Sequence, residues 1–370
     1  MLKNREQVLL ITGFPLITAR QLILHISKEK NSYVAMLVPK KFEASAKSFI
    51  EKNNLKTNVR LVVGDIASMH LGFSSEEYRF LLKNVTDLYH LASIYYPNTS
   101  DSVINKVNIT GTKNIIQFVK DSDKQIPLNY LSTCMVFENY SGLVLEEPVS
   151  SPSYSCYLYK SRFIAESMIM SEQNLIWRIF RAPMIGGDSK TGETDRLGGF
   201  YALLYLLMIS DVKVPIPVPH RGRGPLNMVP IDYLVKVLYH ISTNPESTNR
   251  IFHIVDPNPL SIRVAFELIS KEIGKRITLI YPPANLLNPL LKLGIAKRII
   301  PSYVPLIEIL NQFIIFSHSN TDKFLKNSNI EPPQFENYLR QMISFVKNWI
   351  EQGRREIEYH REEDPYGDAE

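Results

Sequence analysis

Apolar runs alternate with amphipathic stretches through the first half of the chain. A run of about six apolar residues is typical of a strand buried on both faces, whereas apolar residues three and four apart are typical of a helix. The predicted strands are 7–12, 33–38, 58–63, 86–90, 127–132 and 174–180. The predicted helices are 19–29, 41–53, 75–84, 101–121 and 155–173. This alternation predicts an α/β fold with a doubly wound parallel sheet of the Rossmann type.

The pattern changes after about residue 190. Prolines cluster at 214–219, 281–289 and 331–336. Helices are predicted at 196–210, 231–243, 260–274 and 335–352, with a short strand at 251–254. We interpret residues 1–190 as the nucleotide-binding domain and 191–356 as a smaller, mainly helical substrate-binding region. We expect that region to be interleaved with the sheet and to lack an independent core.

Two segments near the end of the chain differ in composition. Residues 286–316 are rich in aliphatic side chains, which favours core or lid packing; an acyl-chain tunnel or a face lying on a membrane is the alternative. Residues 357–370 are dense in charge and poor in aliphatics, so we expect a disordered tail.

Composition and charge restrict the class of protein. Of 370 residues, 45% are apolar, and a net charge of +5 is spread along the chain, which argues against nucleic acid as a partner. No apolar run reaches the roughly 18 residues of a membrane span, and the first residues are polar, so we expect a cytoplasmic protein. The cysteines, Cys134 and Cys156, lack metal-ligand spacing, and no metal is expected.

The turn after the first strand, "TGFPLITA", stands where a dinucleotide fold binds its pyrophosphate. Unpaired amides at the start of the next helix favour an anion there, and glycines let the phosphates approach the backbone. Gly13 occupies the first glycine position, but Leu16 and Ala19 stand at the second and third. The predicted contacts are Gly13, Phe14, Leu16 and Ile17. An ordinary strand–turn–helix without a nucleotide is the open alternative.

Further cofactor contacts are predicted at the ends of other strands. Asp65, followed by Ile66, comes after the third strand, where a carboxylate can accept the adenine amino group. Small residues in "HLAS" leave room for a cofactor at the end of the fourth strand, which predicts contacts from Leu91, Ala92 and Ser93. We interpret the histidine of this motif as a packed strand-end residue.

The end of the second strand bears on the choice between NADP(H) and NAD(H). No Asp or Glu stands there to bind a ribose 2′-hydroxyl, while Lys40 and Lys41 are nearby. A cation at this place favours a 2′-phosphate, and hence NADP(H). Equally, both lysines can simply be solvated at the start of a helix.

Several motifs occur in the order of a known family. They are "VLLITGF" (8–14), "GDI" (64–66), "YHLAS" (89–93), "VNITGTKNIIQF" (107–118), "LSTCMVF" (131–137), "SRFIAE" (161–166) and "RAPMIGGDSKTGE" (181–193). Together they cover about the first 200 residues. The chain resembles the extended short-chain dehydrogenase/reductases, most closely the branch of thioester reductases and fatty acyl-CoA reductases of the male-sterility type.

The resemblance implies hydride transfer between a nicotinamide and a carbonyl carbon. It assigns Thr133 to polarise the substrate oxygen and Asn108 to steady the ribose-binding side chain, and it places Pro183 and Met184 beside the cofactor. In the thioester-reducing branch the substrate is a small molecule, an acyl thioester on coenzyme A or a carrier protein. Family resemblance also implies a homodimer formed through the helices 101–121 and 155–173.

Two positions depart from the family pattern. Alignment through "SRFIAE" places Leu158 at the tyrosine that acts as general acid and Arg162 at the lysine that binds the nicotinamide ribose. Arg162 can still bind ribose hydroxyls. Tyr154 lies one helical turn before Leu158 on the same face, so we expect it to be a displaced acid.

Three functions remain open at this stage. The first is an NAD(P)-dependent oxidoreductase acting on an acyl thioester or a related carbonyl. The second is a catalytically relaxed relative that binds a nucleotide or metabolite as a regulator or scaffold. The third is a sugar-nucleotide epimerase or dehydratase.

Overall fold

A computed structural model describes residues 7–95, 99–195, 197–210, 216–218, 220–282 and 313–352. Most of the aliphatic segment 286–316 and the whole of the tail 357–370 lie outside these residues.

In the part of the chain that the structure describes, seven parallel strands form the central sheet. They are β1 (Gln7–Thr12), β2 (Ser32–Val38), β3 (Val59–Val63), β4 (Asp87–His90), β5 (Leu128–Thr133), β7 (Trp177–Ala182) and β11 (Arg250–His253). Their order across the sheet is β11-β7-β5-β4-β1-β2-β3. The direction of winding reverses between β1 and β4, at the edge where doubly wound sheets bind their ligands. The structure therefore confirms the predicted fold class.

Among the described residues, six short strands pair outside this sheet. They are β6 (Gly142–Val144), β8 (Met184–Gly186), β9 (Ile216–Pro217), β10 (Met228–Pro230), β12 (Leu279–Ile280) and β13 (Ile314–Phe316). The pairs are β8 with β10, β9 with β12 and β6 with β13.

Helices cover both faces of the sheet. The α-helices among the described residues are α1 (Ile17–Ile26), α2 (Glu43–Lys52), α3 (Ser75–Asn84), α4 (Asp101–Ile104), α5 (Thr112–Lys120), α6 (Tyr157–Ser171), α7 (Phe200–Ile209), α8 (Ile231–Ser242), α9 (Ile262–Ile273), α10 (Ser319–Leu325) and α11 (Phe335–Glu351). A π-helical segment, Asn105–Gly111, joins α4 to α5. One face packs against α1, α2 and α8, and the other against α3, α5 and α6. Both faces are apolar because strands buried on both sides need apolar residues throughout.

The chain after residue 190 returns to the sheet and also packs on itself. Strand β11 extends the sheet beside β7, and α8 covers one of its faces. Helices α7, α9 and α11 surround a hydrophobic cluster of their own, which includes Phe200, Phe266 and Met342. We did not expect this cluster from the sequence.

Helix α6 begins later than predicted. The backbone amides of Ser155 and Cys156 donate to the Glu138 carboxylate, at 2.9 and 3.4 Å, and Cys156 has extended backbone angles. The helix consequently starts at Tyr157. Tyr154 lies before the helix. The prediction that it shares a helical face with Leu158 and Arg162 therefore does not hold.

Candidate functional site

The turn between β1 and α1 depends on Gly13. Its φ is +106°, and a Cβ atom at this position would lie 2.9 Å from the amide nitrogen of Ala92. The backbone leaving β4 therefore passes directly against the turn. Phe14 and Leu16 are buried, and the Phe14 ring packs against Phe49 with 5.6 Å between ring centroids. The turn has the close backbone approach expected of the motif, although the buried residues Leu16 and Ala19 replace its later glycines.

A carboxylate from a distant loop binds the start of α1. The amide of Ile17 donates to Asp195 Oδ2 at 2.6 Å. Arg20, one turn further along, donates from Nη2 to Asp195 Oδ1 at 2.9 Å and from Nη1 to Glu193 at 3.2 Å. Burial raises the pKa of Asp195, while the Ile17 amide and the charge of Arg20 oppose that rise. This amide is where a dinucleotide fold directs its pyrophosphate.

The residues around the turn fit a dinucleotide only in part. Gly13 allows the backbone to approach closely, as the pyrophosphate requires. The Ile17 amide is already bonded to Asp195, so a phosphate fits there only after that carboxylate has moved. Sequence reasoning missed Asp195, because no local pattern links residues 178 positions apart.

The end of β4 is joined to β1 through Thr12. Its hydroxyl accepts the amides of Leu91 and Ala92, at 3.2 and 3.1 Å, and lies 2.9 Å from His90 Nδ1. Because the hydroxyl oxygen already accepts two amides, its proton goes to His90 Nδ1.

The other nitrogen of His90 faces Thr112. That hydroxyl donates to the Asn108 carbonyl at 2.7 Å, so it accepts from His90 Nε2 at 3.1 Å. His90 is thus neutral and protonated on Nε2. Burial lowers its pKa to about 3, and the charge of Arg162 acts in the same direction. This buried histidine joins β1 and β4 to the start of α5, as expected of a packed strand-end residue.

Asn108 uses both ends of its side-chain amide within the protein. Its Oδ1 accepts the Ile94 amide at 2.7 Å, and its Nδ2 donates to the Ile94 carbonyl at 3.2 Å and to Ser161 Oγ at 2.9 Å. It is 1% exposed. Asn108 therefore holds the chain after β4 against α6. Sequence reasoning did not identify Ser161, which completes this contact.

Arg162 lies beneath the end of β5. Its Nη2 donates to the Leu131 carbonyl at 2.5 Å, and its guanidinium carbon is 5.2 Å from the centre of the Tyr130 ring. The residue is 7% exposed, and Leu158, one turn before it, is 3% exposed. The described contacts of Arg162 thus hold α6 to the sheet, and Leu158 packs in the core.

The hydroxyl groups of Tyr154 and Thr133 differ in whether their proton is available for a hydrogen bond to a substrate. Tyr154 donates its hydroxyl proton to the Val136 carbonyl at 2.9 Å. Burial raises the pKa of Tyr154, and the negative charge of Glu166 raises it further. At the end of β5, Thr133 Oγ1 accepts the Met135 amide at 3.1 Å, and its proton has no acceptor among the described residues. Thr133 is the better placed donor.

A buried ion pair joins α6 to β7 of the central sheet. Arg181 and Glu166 are fully buried and lie 2.7 Å apart. Arg181 also donates to the Glu147 carbonyl at 2.8 Å and lies 3.4 Å from His253 Nε2. His253 in turn donates from Nδ1 to the Ser317 carbonyl at 2.8 Å. The network connects the candidate site to the later part of the chain.

The remaining predicted contacts lie around the same edge of the sheet. Lys40 is 83% exposed and pairs with Glu43 at 2.6 Å. Asp65 accepts the Ala67 amide through Oδ1 at 2.8 Å. Four further predicted residues are placed as follows: Ile66 and Ser93 are buried, Pro183 is buried just before β8, and Met184 is the first residue of β8.

A cavity of about 370 Å³ opens at the opposite edge, where the strands begin. Arg178 lines it, but its guanidinium already donates to Ser247, Asn129 and the Asn244 carbonyl. Among the described residues, no group of His, Cys, Asp and Glu side chains is arranged to hold a metal ion. Within the described residues, no helix has both the length and the apolar character of a membrane span.

Comparisons with known proteins bear on the fold and the family. The chain matches the terminal reductase (R) domain of the myxalamid PKS-NRPS pathway with a TM-score of 0.77 and 19% identity, covering 95% of this chain and 92% of that one. It also matches the UDP-glucuronic acid 4-epimerase of Bacillus cereus with a TM-score of 0.67 and 16% identity, covering 92% and 99%. At these identities the likeness shows the fold alone.

The sequence comparisons are more specific. A linear gramicidin synthase from Brevibacillus parabrevis is 28% identical over 208 residues, which is 53% of this chain and 4% of that protein. The chain thus spans only a small part of this relative. A family model described as male sterility protein matches residues 19–238, more than half of the chain. The chain therefore belongs to the male sterility family of NAD(P)-binding reductases, as its motifs had indicated.

Proposed function

We propose that the chain is an NAD(P)H-dependent reductase of an acyl thioester carried on coenzyme A or on a carrier protein. The observation that carries this proposal is the Thr133 hydroxyl. It lies at the carboxyl end of β5, close to the reversal in the sheet, and its proton has no acceptor among the described residues. Membership of a reductase family and similarity to a gramicidin synthase support the substrate class.

Thr133 polarises the substrate carbonyl. The Met135 amide donates to Oγ1, so the hydroxyl proton is directed away from the backbone and is available to the carbonyl oxygen. A hydrogen bond to an oxygen that gains negative charge strengthens as the reaction proceeds, and this lowers the barrier. Reduced nicotinamide, when bound, supplies the hydride.

A thioester places a smaller demand on a general acid than a ketone does. Hydride addition to the carbonyl carbon and protonation of the oxygen give a hemithioacetal. The carbon–sulfur bond then breaks, and the products are an aldehyde and a thiol. A thiol has a pKa of about 8.5, so it leaves as thiolate near neutral pH without a strong acid. This chemistry is compatible with Leu158 at the tyrosine position and with Tyr154 bonded to a carbonyl.

We further propose NADP(H) as the preferred cofactor. Lys40 lies two residues after the end of β2 and is highly exposed, so its contact with Glu43 can be exchanged for a 2′-phosphate at small cost. Glu43 is also paired with Lys47, which would keep its charge compensated.

A catalytically relaxed relative is the second candidate. Leu158 in the core, Arg162 bonded to the Leu131 carbonyl and Tyr154 bonded to the Val136 carbonyl favour it, because these groups stabilise the fold instead of facing a substrate. Such a domain would bind a nucleotide or metabolite as a regulator or scaffold. The likeness to an epimerase concerns the fold alone and adds no support for sugar-nucleotide chemistry.

The test is whether the protein reduces acyl-CoA and acyl-phosphopantetheine thioesters. The reaction is monitored by the oxidation of NADPH, and the aldehyde product is trapped. We expect Thr133→Val to lower kcat by about 100-fold, the usual effect of removing one donor to a developing oxyanion, and Thr133→Ser to retain most activity. Tyr154→Phe should change kcat by less than about threefold, since its hydroxyl serves a carbonyl. Loss of turnover in Tyr154→Phe would instead identify the displaced acid.

Two results would refute the proposal. One is the absence of NADPH and NADH binding below millimolar concentration by calorimetry. The other is turnover that appears only in the double variant Leu158→Tyr and Arg162→Lys, which would support the relaxed relative.

A further inference from the structure

The loop that carries Asp195 is held on three sides. Ser189 bonds the Asp232 carboxylate through its amide and its hydroxyl, at 3.0 and 2.9 Å. Tyr201 donates its hydroxyl to the Gly192 carbonyl at 2.7 Å. A Cβ atom on Gly192 would lie 2.2 Å from the Gln341 carbonyl oxygen, so the loop also packs tightly on α11. The loop thus holds Asp195 close to α1.

The Asp195 carboxylate has the contacts that an anionic ligand would have at this place. It accepts the Ile17 amide in the first turn of α1 and pairs with Arg20, whose second nitrogen binds Glu193. Helix N-termini bind phosphates through such amides and through the helix dipole. Of the two carboxylates that pair with Arg20, only that of Asp195 also accepts the Ile17 amide.

We propose that Asp195 sets the nucleotide affinity of this domain, because its carboxylate occupies the position of the pyrophosphate and must leave before a dinucleotide binds. The inference rests on the proposed function for the identity of the ligand. The apparent dissociation constant is then the intrinsic one divided by the fraction of molecules in which the carboxylate has left.

The size of the effect follows from the contacts that are lost. Hydrogen bonds to charged groups are of a strength equivalent to about 10- to 100-fold in an equilibrium constant. Removing the carboxylate should therefore tighten NADPH binding by that factor. ADP-ribose, which has the pyrophosphate but no nicotinamide, should gain equally. Adenosine, which has no phosphate, should gain nothing.

The experiment compares Asp195→Ala and Asp195→Asn with the control Glu193→Gln by calorimetry with all three ligands. Glu193 pairs with Arg20 but does not bond the Ile17 amide, so its replacement should change NADPH affinity by less than about threefold. Hydrogen exchange gives a readout independent of nucleotide. The Ile17 amide should be protected in the wild-type protein, exchange faster in Asp195→Ala, and regain protection when NADPH is added.

The outcomes separate this inference from the proposed function. Unchanged or weaker NADPH binding in Asp195→Ala, while wild-type protein binds NADPH and reduces thioesters, overturns the inference and leaves the function standing. Tight binding in Asp195→Ala alone, with no wild-type turnover, supports the inference and removes the function. An equal gain in Glu193→Gln, or no binding by any variant, also overturns the inference.

Discussion

His90 should make the stability of the protein depend on pH. Its pKa is about 3 in the folded protein and 6.5 when unperturbed, because burial disfavours the charged imidazole. As the pH falls, the unfolded chain takes up the proton first. The stabilisation is therefore complete above pH 6.5 and is lost progressively down to about pH 3.

The loss can be worked out at an accessible pH. At pH 5, about 1.5 units below the unfolded pKa, His90 has lost about 2 kcal/mol of its contribution at pH 8. His253, whose pKa is also about 3, adds a loss of the same sign. A His90→Gln variant isolates the first effect, because it removes only the titration at position 90.

The assay is urea unfolding followed by tryptophan fluorescence at pH 8, 6 and 5. His90→Gln should be less stable than the wild-type protein at pH 8, and the difference in free energy of unfolding should shrink by about 2 kcal/mol at pH 5. If the difference in free energy of unfolding stayed constant between pH 8 and pH 5, the conclusion that His90 is buried and neutral, which was drawn from its contacts with Thr12 and Thr112, would be refuted.

Two other predictions concern the frame of the site. Glu166→Gln should lower the free energy of unfolding by about 3–5 kcal/mol, since the fully buried Arg181 loses its counter-ion; a loss below about 1 kcal/mol in urea unfolding would contradict this. Gly13→Ala should destabilise the protein by at least about 1 kcal/mol more than Gly274→Ala. Both glycines have positive φ, but only at Gly13 would the new Cβ meet backbone, so equal changes in thermal stability would show that the close approach to Ala92 is unimportant.

The strands could be predicted closely from the sequence. In the central sheet, strand β1 has the predicted bounds and the other six strands differ by one to three residues at one or both ends, whereas the six short strands described outside the sheet were not predicted. Strands buried on both faces must be apolar throughout, and their neighbours in a parallel sheet are separated by helices whose period is equally legible. Both the apolar run of a buried strand and the period of a helix are set within a few neighbouring residues, so they can be recognised from the sequence.

The geometry of the site could not be predicted in the same way. The start of α6 is set by Glu138, which binds amides 17 and 18 positions further on. The helix pattern continues through Tyr154, so only the folded structure shows that this tyrosine is outside the helix. Asp195 likewise bonds the amide of Ile17, which lies 178 positions earlier in the sequence. Side-chain contacts between distant segments leave no periodic signal.

The bond between Asp195 and the Ile17 amide also affects how the protein should behave at different concentrations. A carboxylate that belongs to the chain is present at a fixed effective concentration beside that amide, whatever the dilution of the protein. Dialysis cannot remove it, as it would remove a bound phosphate or buffer anion. The fraction of the domain that holds nucleotide should therefore depend on the nucleotide concentration alone. The concentration at half-saturation is set by Asp195, which is part of the chain.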